Sequence, residues 1–308
     1  MKTLSLLTLA ALLAPLALTS CGNSSSSQSA SAATEDSPQT NATTKPLKAS
    51  LEFSCFNAQH SAADLNVAGN IASITDSVFS TVAANGNATR GDFRELNKYT
   101  FDNANLLMKK YTYSLVYSPG EEYIWILNYE HENGRMVSCC AEAGDGCETC
   151  EYGDGYIIHW QGDGRDSLIL ADGRPVKDVI EGEVMMTYEF SYTDDGFTRY
   201  AASYYDYETD QEVAADKDKD VMTFNKYGRL TSHVWQAGDD VCSYTCQYDE
   251  NGDLTRETRD LGFVKYDVEY TYSDYDAHGN WHRCVTVEHS AQGEPTTTLT
   301  LRTIVYRE

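Results

Sequence analysis

Beyond residue 65 the chain alternates apolar and polar positions over short runs, with turn residues between them. Val241 to Tyr248 and Lys265 to Tyr272 are rich in tyrosine, valine and threonine, the composition of strands. Thr296 to Tyr306 repeats the pattern. Ile71 to Val82 fits two periods. Ile71, Ile74, Val78 and Val82 share a helix face, whereas Ile74, Asp76, Val78, Ser80 and Val82 share a strand face. Its β-branched content predicts a strand. No long helix is predicted. Twenty-two tyrosines against six prolines agree with an all-β chain.

The strands are punctuated by a repeated turn. Phe224-Asn-Lys-Tyr-Gly228-Arg-Leu230, Tyr248-Asp-Glu-Asn-Gly252-Asp-Leu254 and Tyr275-Asp-Ala-His-Gly279-Asn-Trp281 share one plan. An aromatic is followed by Asp or Asn, two variable residues, Gly, a polar residue and a large apolar one. Weaker copies centre on Gly196, on Asn105 in the glycine slot, and on Gly134 in a copy one residue longer. Successive glycines from Gly228 onward lie 24 and 27 residues apart, which marks a repeat architecture. Asp or Asn suits the first position of a type I turn. A left-handed residue after that turn makes a hairpin loop with a bulge. Glycine enters that region freely and asparagine tolerably, which accounts for Asn105.

These units resemble the YD repeat of Rhs-type proteins. Tyr275-Asp-x-His-Gly-Asn-Trp281 and Asn70-Ile-x-Ser-Ile74-Thr resemble YD-repeat-like lipoproteins of Bacteroidetes. The resemblance spans 65–308. With about six copies it implies an open, curved, extended antiparallel β-meander rather than a closed shell.

The N-terminus reads differently. Lys2 precedes an apolar run, Leu4 to Leu18, shorter than the ~20 residues that span a bilayer. A charged start, a short apolar run and small residues make residues 1–20 a signal peptide. Leu18-Thr19-Ser20-Cys21 resembles the lipobox of bacterial lipoproteins, which implies lipid on Cys21 and anchorage in a membrane. With Cys21, residues 22–48 make a Ser/Ala/Thr-rich tether too poor in large apolar residues to order itself. Residues 49–308 form the folded domain. Gly-Asn-Ser-Ser after Cys21 lacks the Asp of inner-membrane retention, so the expected address is the cell envelope at the outer membrane.

Charge narrows the partners. The formal charge is −24, and −25 without residues 1–20, whose sole charged residue is Lys2. That excludes a nucleic-acid partner, which needs a cationic face. A membrane through the lipid anchor, an envelope protein and a glycan remain.

Eight further cysteines are disulfide candidates in an exported protein: Cys55, Cys139, Cys140, Cys147, Cys150, Cys242, Cys246 and Cys284. Four of them crowd a Cys-rich insertion near 137–152. Structural disulfides are the favoured reading there, ahead of metal with His159 nearby, or redox chemistry at Cys147-x-x-Cys150. Cys242 and Cys246 share a strand face but lie too far apart to bridge each other. One of them pairing with Cys284 is the expectation.

There is no Gly-x-Ser-x-Gly elbow, phosphate-binding Gly-Lys-Ser/Thr loop or His-Glu-x-x-His helix. The reading is a non-enzymatic envelope lipoprotein with a structural or binding role and no cofactor. The alternative is a glycan-binding module stacking sugars on Trp125, Trp160, Trp235 and Trp281, which otherwise pair across strands. An enzyme using the thiols ranks third.

Overall fold

The computed structural model describes residues 47–56, 58–84, 87–118, 121–143, 146–181, 185–238, 240–291 and 293–308. The expected signal peptide, Cys21 and nearly all of the expected tether lie outside these residues. A single short helix, α1 (Leu51–Phe56), precedes the strands. These are β1 (Ile71–Ala84), β2 (Asn87–Phe101), β3 (Leu107–Ser118), β4 (Glu121–Glu132), β5 (Arg135–Ala141), β6 (Cys147–Gly153) and β7 (Tyr156–Gln161). Then come β8 (Gly164–Ala171), β9 (Arg174–Glu181), β10 (Met186–Thr193), β11 (Gly196–Asp206), β12 (Gln211–Ala214) and β13 (Asp220–Asn225). The last six are β14 (Leu230–Ala237), β15 (Asp240–Tyr248), β16 (Leu254–Asp260), β17 (Lys265–Tyr275), β18 (Trp281–Ser290) and β19 (Thr296–Tyr306).

Apart from β12 and β13, each strand pairs antiparallel with its neighbour in sequence, and β1 pairs with both β2 and β19. β12 and β13 share one edge of β11, so the wall is a closed barrel of eighteen strands. This corrects the expected open, curved meander. The strand Thr296–Tyr306 returns to β1 and pairs from Ile71↔Tyr306 to Ser80↔Thr298. Closure removes the two unpaired edges that an open sheet would leave. Two expected copies depart from the repeated turn: those at Gly134 and Gly196 are two-residue loops at Asn133-Gly134 and Asp194-Asp195, and further hairpins between 150 and 180 turn without any copy. Asp154-Gly155 and Asp172-Gly173 are likewise two-residue loops.

The repeated turn has the expected mechanics. In each regular copy the Asp or Asn carboxyl or amide oxygen accepts two backbone N–H groups. Asp249 Oδ1 takes those of Asn251 and Asp253, both at 2.9 Å. Asp276 takes those of His278 and Asn280, also at 2.9 Å. Asn105, Gly228, Gly252 and Gly279 all sit in the left-handed region, with φ of 62°, 75°, 75° and 74°.

The hairpins β2–β3, β4–β5, β6–β7, β8–β9, β10–β11, β13–β14, β15–β16 and β17–β18 point the same way, so one end of the barrel, the turn end, carries all six expected repeat positions. The start of β1 and the end of β19 lie there too. Arg307 joins them: its backbone N–H donates to Asn70 C=O at 2.8 Å and its guanidinium donates to Ile71 and Phe101 carbonyls. The core lies just inside this end. Ala62, Val67, Ile71, Ile74, Tyr99, Phe101, Leu107, Tyr129 and Met136 form one buried cluster, and Phe56, Ile157 and Leu168 form a second.

Candidate functional site: a stoppered bore

A barrel of eighteen strands is too wide for its wall side chains to fill. Residues 47–56 and 58–70, α1 included, fill the turn end as a stopper. What holds them is the repeat itself. In the three regular copies the polar residue after the glycine points inward and is buried: Arg229, Asp253 and Asn280 are 7%, 4% and 1% exposed. Arg229 Nη1 and Nη2 donate to the carbonyls of Asp64 and Ala63 at 2.5 and 2.6 Å. Asn66 Nδ2 donates to Asp253 Oδ1 at 2.8 Å. Asn280 accepts from Ala68 N–H at 2.9 Å and donates to its C=O at 2.8 Å. At the first copy, Asn105 accepts from Ile71 N–H and donates to Gly69 C=O, both at 2.8 Å. Ser54 Oγ donates to Gly228 C=O at 2.9 Å. On the far side Phe56 packs on the His159 ring at 5.0 Å, and the Tyr152 hydroxyl lies 3.1 Å from Glu52. The stopper is therefore tied to four hairpin turns and to the β6–β8 wall.

The sequence motif gave these residues only as "polar". Their recurrence one place after each glycine was the signal that could have found them. A polar side chain recurring at that place in the three regular copies is a candidate for a buried hydrogen-bonded role.

A second tier of polar side chains lines the wall within. Arg302 and Asp76 form a two-point ion pair, both contacts 2.7 Å, with the guanidinium over Trp281 at 3.7 Å. Arg199 donates to Asp178 at 2.7 and 3.1 Å and lies over the Tyr188 ring at 3.7 Å. Tyr188 in turn donates to Asp220 at 2.9 Å, and Asp220 meets His233 at 3.0 Å. His159 sits 3.2 Å from Glu148 and 3.8 Å from Asp166. Burial disfavours its imidazolium, but the two carboxylates together outweigh that and push its pKa up to about 9. Glu148, hydrogen-bonded to it, is held below its ordinary value. These groups neutralise one another along the wall, and none is arranged as nucleophile and base. Among the described residues no set of three His, Cys, Asp or Glu is placed to hold a metal ion.

The candidate cysteines divide by face. Cys140 and Cys147 pair across β5 and β6 and form a disulfide on the outer wall. Cys55, Cys139, Cys150, Cys242, Cys246 and Cys284 carry free thiols. Cys139 and Cys150 join the inner apolar cluster. Cys242 and Cys246 share the inner face, but β16 and β17 stand between them and Cys284. At about 4.8 Å per strand that separation is beyond disulfide reach, which corrects the expected pairing.

The four tryptophans do not converge. Trp281 is sandwiched between Arg302 and Tyr272 near the stopper. Trp160 is on the outer wall under Arg165. Trp235 packs on His233 at 4.6 Å. Trp125 faces the bore beside Tyr123, its side chain nearly half exposed at 46%.

Outside, the wall is studded with polar cross-strand pairs. Ser138 donates to Glu130, Tyr156 to Glu151 and Tyr200 to Glu189, at 3.0, 3.2 and 3.0 Å. Arg165 meets Glu181 at 3.3 Å, and Arg256 donates to Asp267 at 2.7 Å. Among the described residues no helix is long and apolar enough to cross a membrane.

No family model and no curated protein matches the chain. Among solved structures, a porin-like protein from Bacteroides uniformis matches over 78% of this chain and 99% of that one. The two are 12% identical, with a TM-score of 0.37. A porin-like protein from Bacteroides vulgatus matches over 62% of this chain and 95% of that one, at 14% identity and a TM-score of 0.36.

Proposed function

We propose that this chain is a lipid-anchored envelope protein whose barrel stands in water and serves a non-catalytic binding or structural role rather than forming a pore. Lipid on Cys21 holds it to the outer membrane, and residues 22–48 tether the stopper to that lipid. The observation that carries the reading is the stopper. Its hydrogen bonds to Arg229, Asp253, Asn280 and Asn105 block passage along the axis. The outer wall supports the aqueous setting. A lipid-facing barrel needs an apolar band ~25 Å tall, and a charge at the bilayer midplane costs ~2–4 kcal/mol. Glu130, Glu151, Glu181, Glu189, Arg256 and Asp267 are ionisable groups on that face.

The test pairs two measurements. Purified protein added to planar bilayers is expected to give no conductance steps. Cys21→Ala is expected to move the folded barrel to the aqueous phase without detergent. Conductance steps, or a Cys21→Ala barrel that needs detergent to stay dispersed, overturn the reading.

A ligand reading is favoured at one place. Trp125 offers an exposed ring to the bore beside Tyr123, so a glycan that binds there would stack on it. Trp125→Ala is expected to abolish retention on immobilised glycans, while Trp160→Ala on the outer wall leaves it intact.

A further inference from the structure

The stopper meets the wall through buried imidazoles that closing the bore does not itself require. His60, in the stopper, is 4% exposed, and its Nε2 has no hydrogen-bond partner among the described residues. Its own backbone is locked: His60 N–H donates to Asp64 at 2.9 Å and its C=O accepts from Leu107 N–H at 2.5 Å. His131 on β4 lies close by, with both ring nitrogens buried and without partners among the described residues. The groups facing His60 come from four elements: Glu52 of α1, Asp64 of its own segment, Glu148 of β6 and His159 of β7. Those facing His131 are His60 and Asp102 of the β2–β3 turn.

We propose that the stopper is acid-released: protonation of His60 and His131 drives residues 47–70 off the wall and opens the turn end of the bore. Two new positive charges would then stand in a desolvated seam against His159, itself already cationic at neutral pH. Burial is the larger effect at both rings. It disfavours the imidazolium at His60 more than Glu52, Asp64 and Glu148 favour it, and at His131 more than Asp102 does. Both rings are therefore neutral when docked and take up protons on release. Docking is fully supported above their ordinary value of 6.5 and weakens as the pH falls below it. Both rings lie where the stopper meets the wall, so acid acts on that segment first. This goes beyond the aqueous-barrel reading and rests on the stopper's geometry and its buried imidazoles.

Hydrogen exchange tests it, with rates corrected for intrinsic pH dependence. Between pH 7.5 and 5.0, peptides covering 47–70 are expected to exchange roughly tenfold faster or more. Peptides covering β16 to β18 are expected to hold their protection. His60→Gln with His131→Gln is expected to flatten the step, and His289→Gln, on the exposed end of β18, to leave it unchanged. If the double variant fails to fold by circular dichroism, each single variant is expected to lose part of the step. No step in the wild type, a step shared equally by stopper and wall, or a full step in the histidine variants overturns the proposal. None of these outcomes bears on conductance or on phase partition, so a failure here is separable from a failure of the aqueous-barrel reading.

Discussion

Two turn-end glycines separate backbone strain from stopper contact, Gly134 in a two-residue loop and Gly228 in the repeated turn. Gly134 and Gly228 both have positive φ, 79° and 75°. A Cβ on Gly134 meets nothing within 4 Å, whereas one on Gly228 meets Ser54 Oγ at 2.5 Å. Gly134→Ala therefore carries only the left-handed penalty of ~1–2 kcal/mol. Gly228→Ala carries that and also displaces the stopper, so its urea midpoint is expected to fall distinctly further. Equal losses would show that the stopper adds nothing to stability at this turn. The inner ion pair makes a second residue-level case. Arg302→Met leaves Asp76 buried without its two-point partner and strips the cation from Trp281. The expected cost is about 3–5 kcal/mol, read as a lower denaturation midpoint. The strand-face reading of Ile71 to Val82 placed Asp76 beside Ile74 and Val78. An acid on an apolar face was legible as a buried, paired group, but its partner 226 residues away was not.

At the level of elements, adjacent hairpins are stitched by one recurring bond. Tyr152 donates to Met136 C=O, Tyr192 to Pro175, Tyr248 to Leu230 and Tyr272 to Leu254, at 2.8, 2.7, 2.9 and 2.7 Å. The residue separations are 16, 17, 18 and 18, one hairpin each. In each case a tyrosine near the turn end of one hairpin binds a residue near the start of a strand in the hairpin before. This gives part of the tyrosine count a mechanical reason that cross-strand pairing alone did not supply. Tyr272→Phe removes one donor and is expected to cost about 0.5–1.5 kcal/mol in unfolding free energy. The cysteines obey the same inner and outer division. Burial pushes the thiols of Cys139, Cys246 and Cys284 up to about 11 and that of Cys150 up to about 12. Thiolate is the reactive form, so these four are expected to resist iodoacetamide in the native protein at pH 8 and to label fully in urea. Alternation predicted the shared face of Cys242 and Cys246. It was silent on which strands stand between that face and Cys284, because strand order is a property of closure. Local spacing placed the hairpin tips, whose chemistry is self-contained within five residues. It missed closure and the stopper, which depend on contacts between residue 47–70 and turns some 35 to 210 positions away.

For the whole molecule, the inner titrations combine into a stability profile with its maximum near neutrality. His159 is raised to about 9, so its contribution is complete below its ordinary value of 6.5 and declines as the pH climbs towards 9. His60 and His131 are lowered, so their contribution is complete above 6.5 and declines as the pH falls. Glu148 is lowered as well and adds a further loss below its ordinary value of 4.5. The opposing slopes of the histidines meet near pH 6.5. The thermal midpoint is expected to peak there and to fall on both sides, by different routes. The alkaline limb belongs to the β6–β8 wall, and His159→Gln is expected to flatten it. The acid limb belongs to the seam between stopper and wall, and His60→Gln with His131→Gln is expected to flatten that one instead. Melting curves of the three proteins across pH 4.5 to 9.5 decide the matter. If either variant flattened the limb assigned to the other, the charges would not be partitioned between wall and stopper as their positions require.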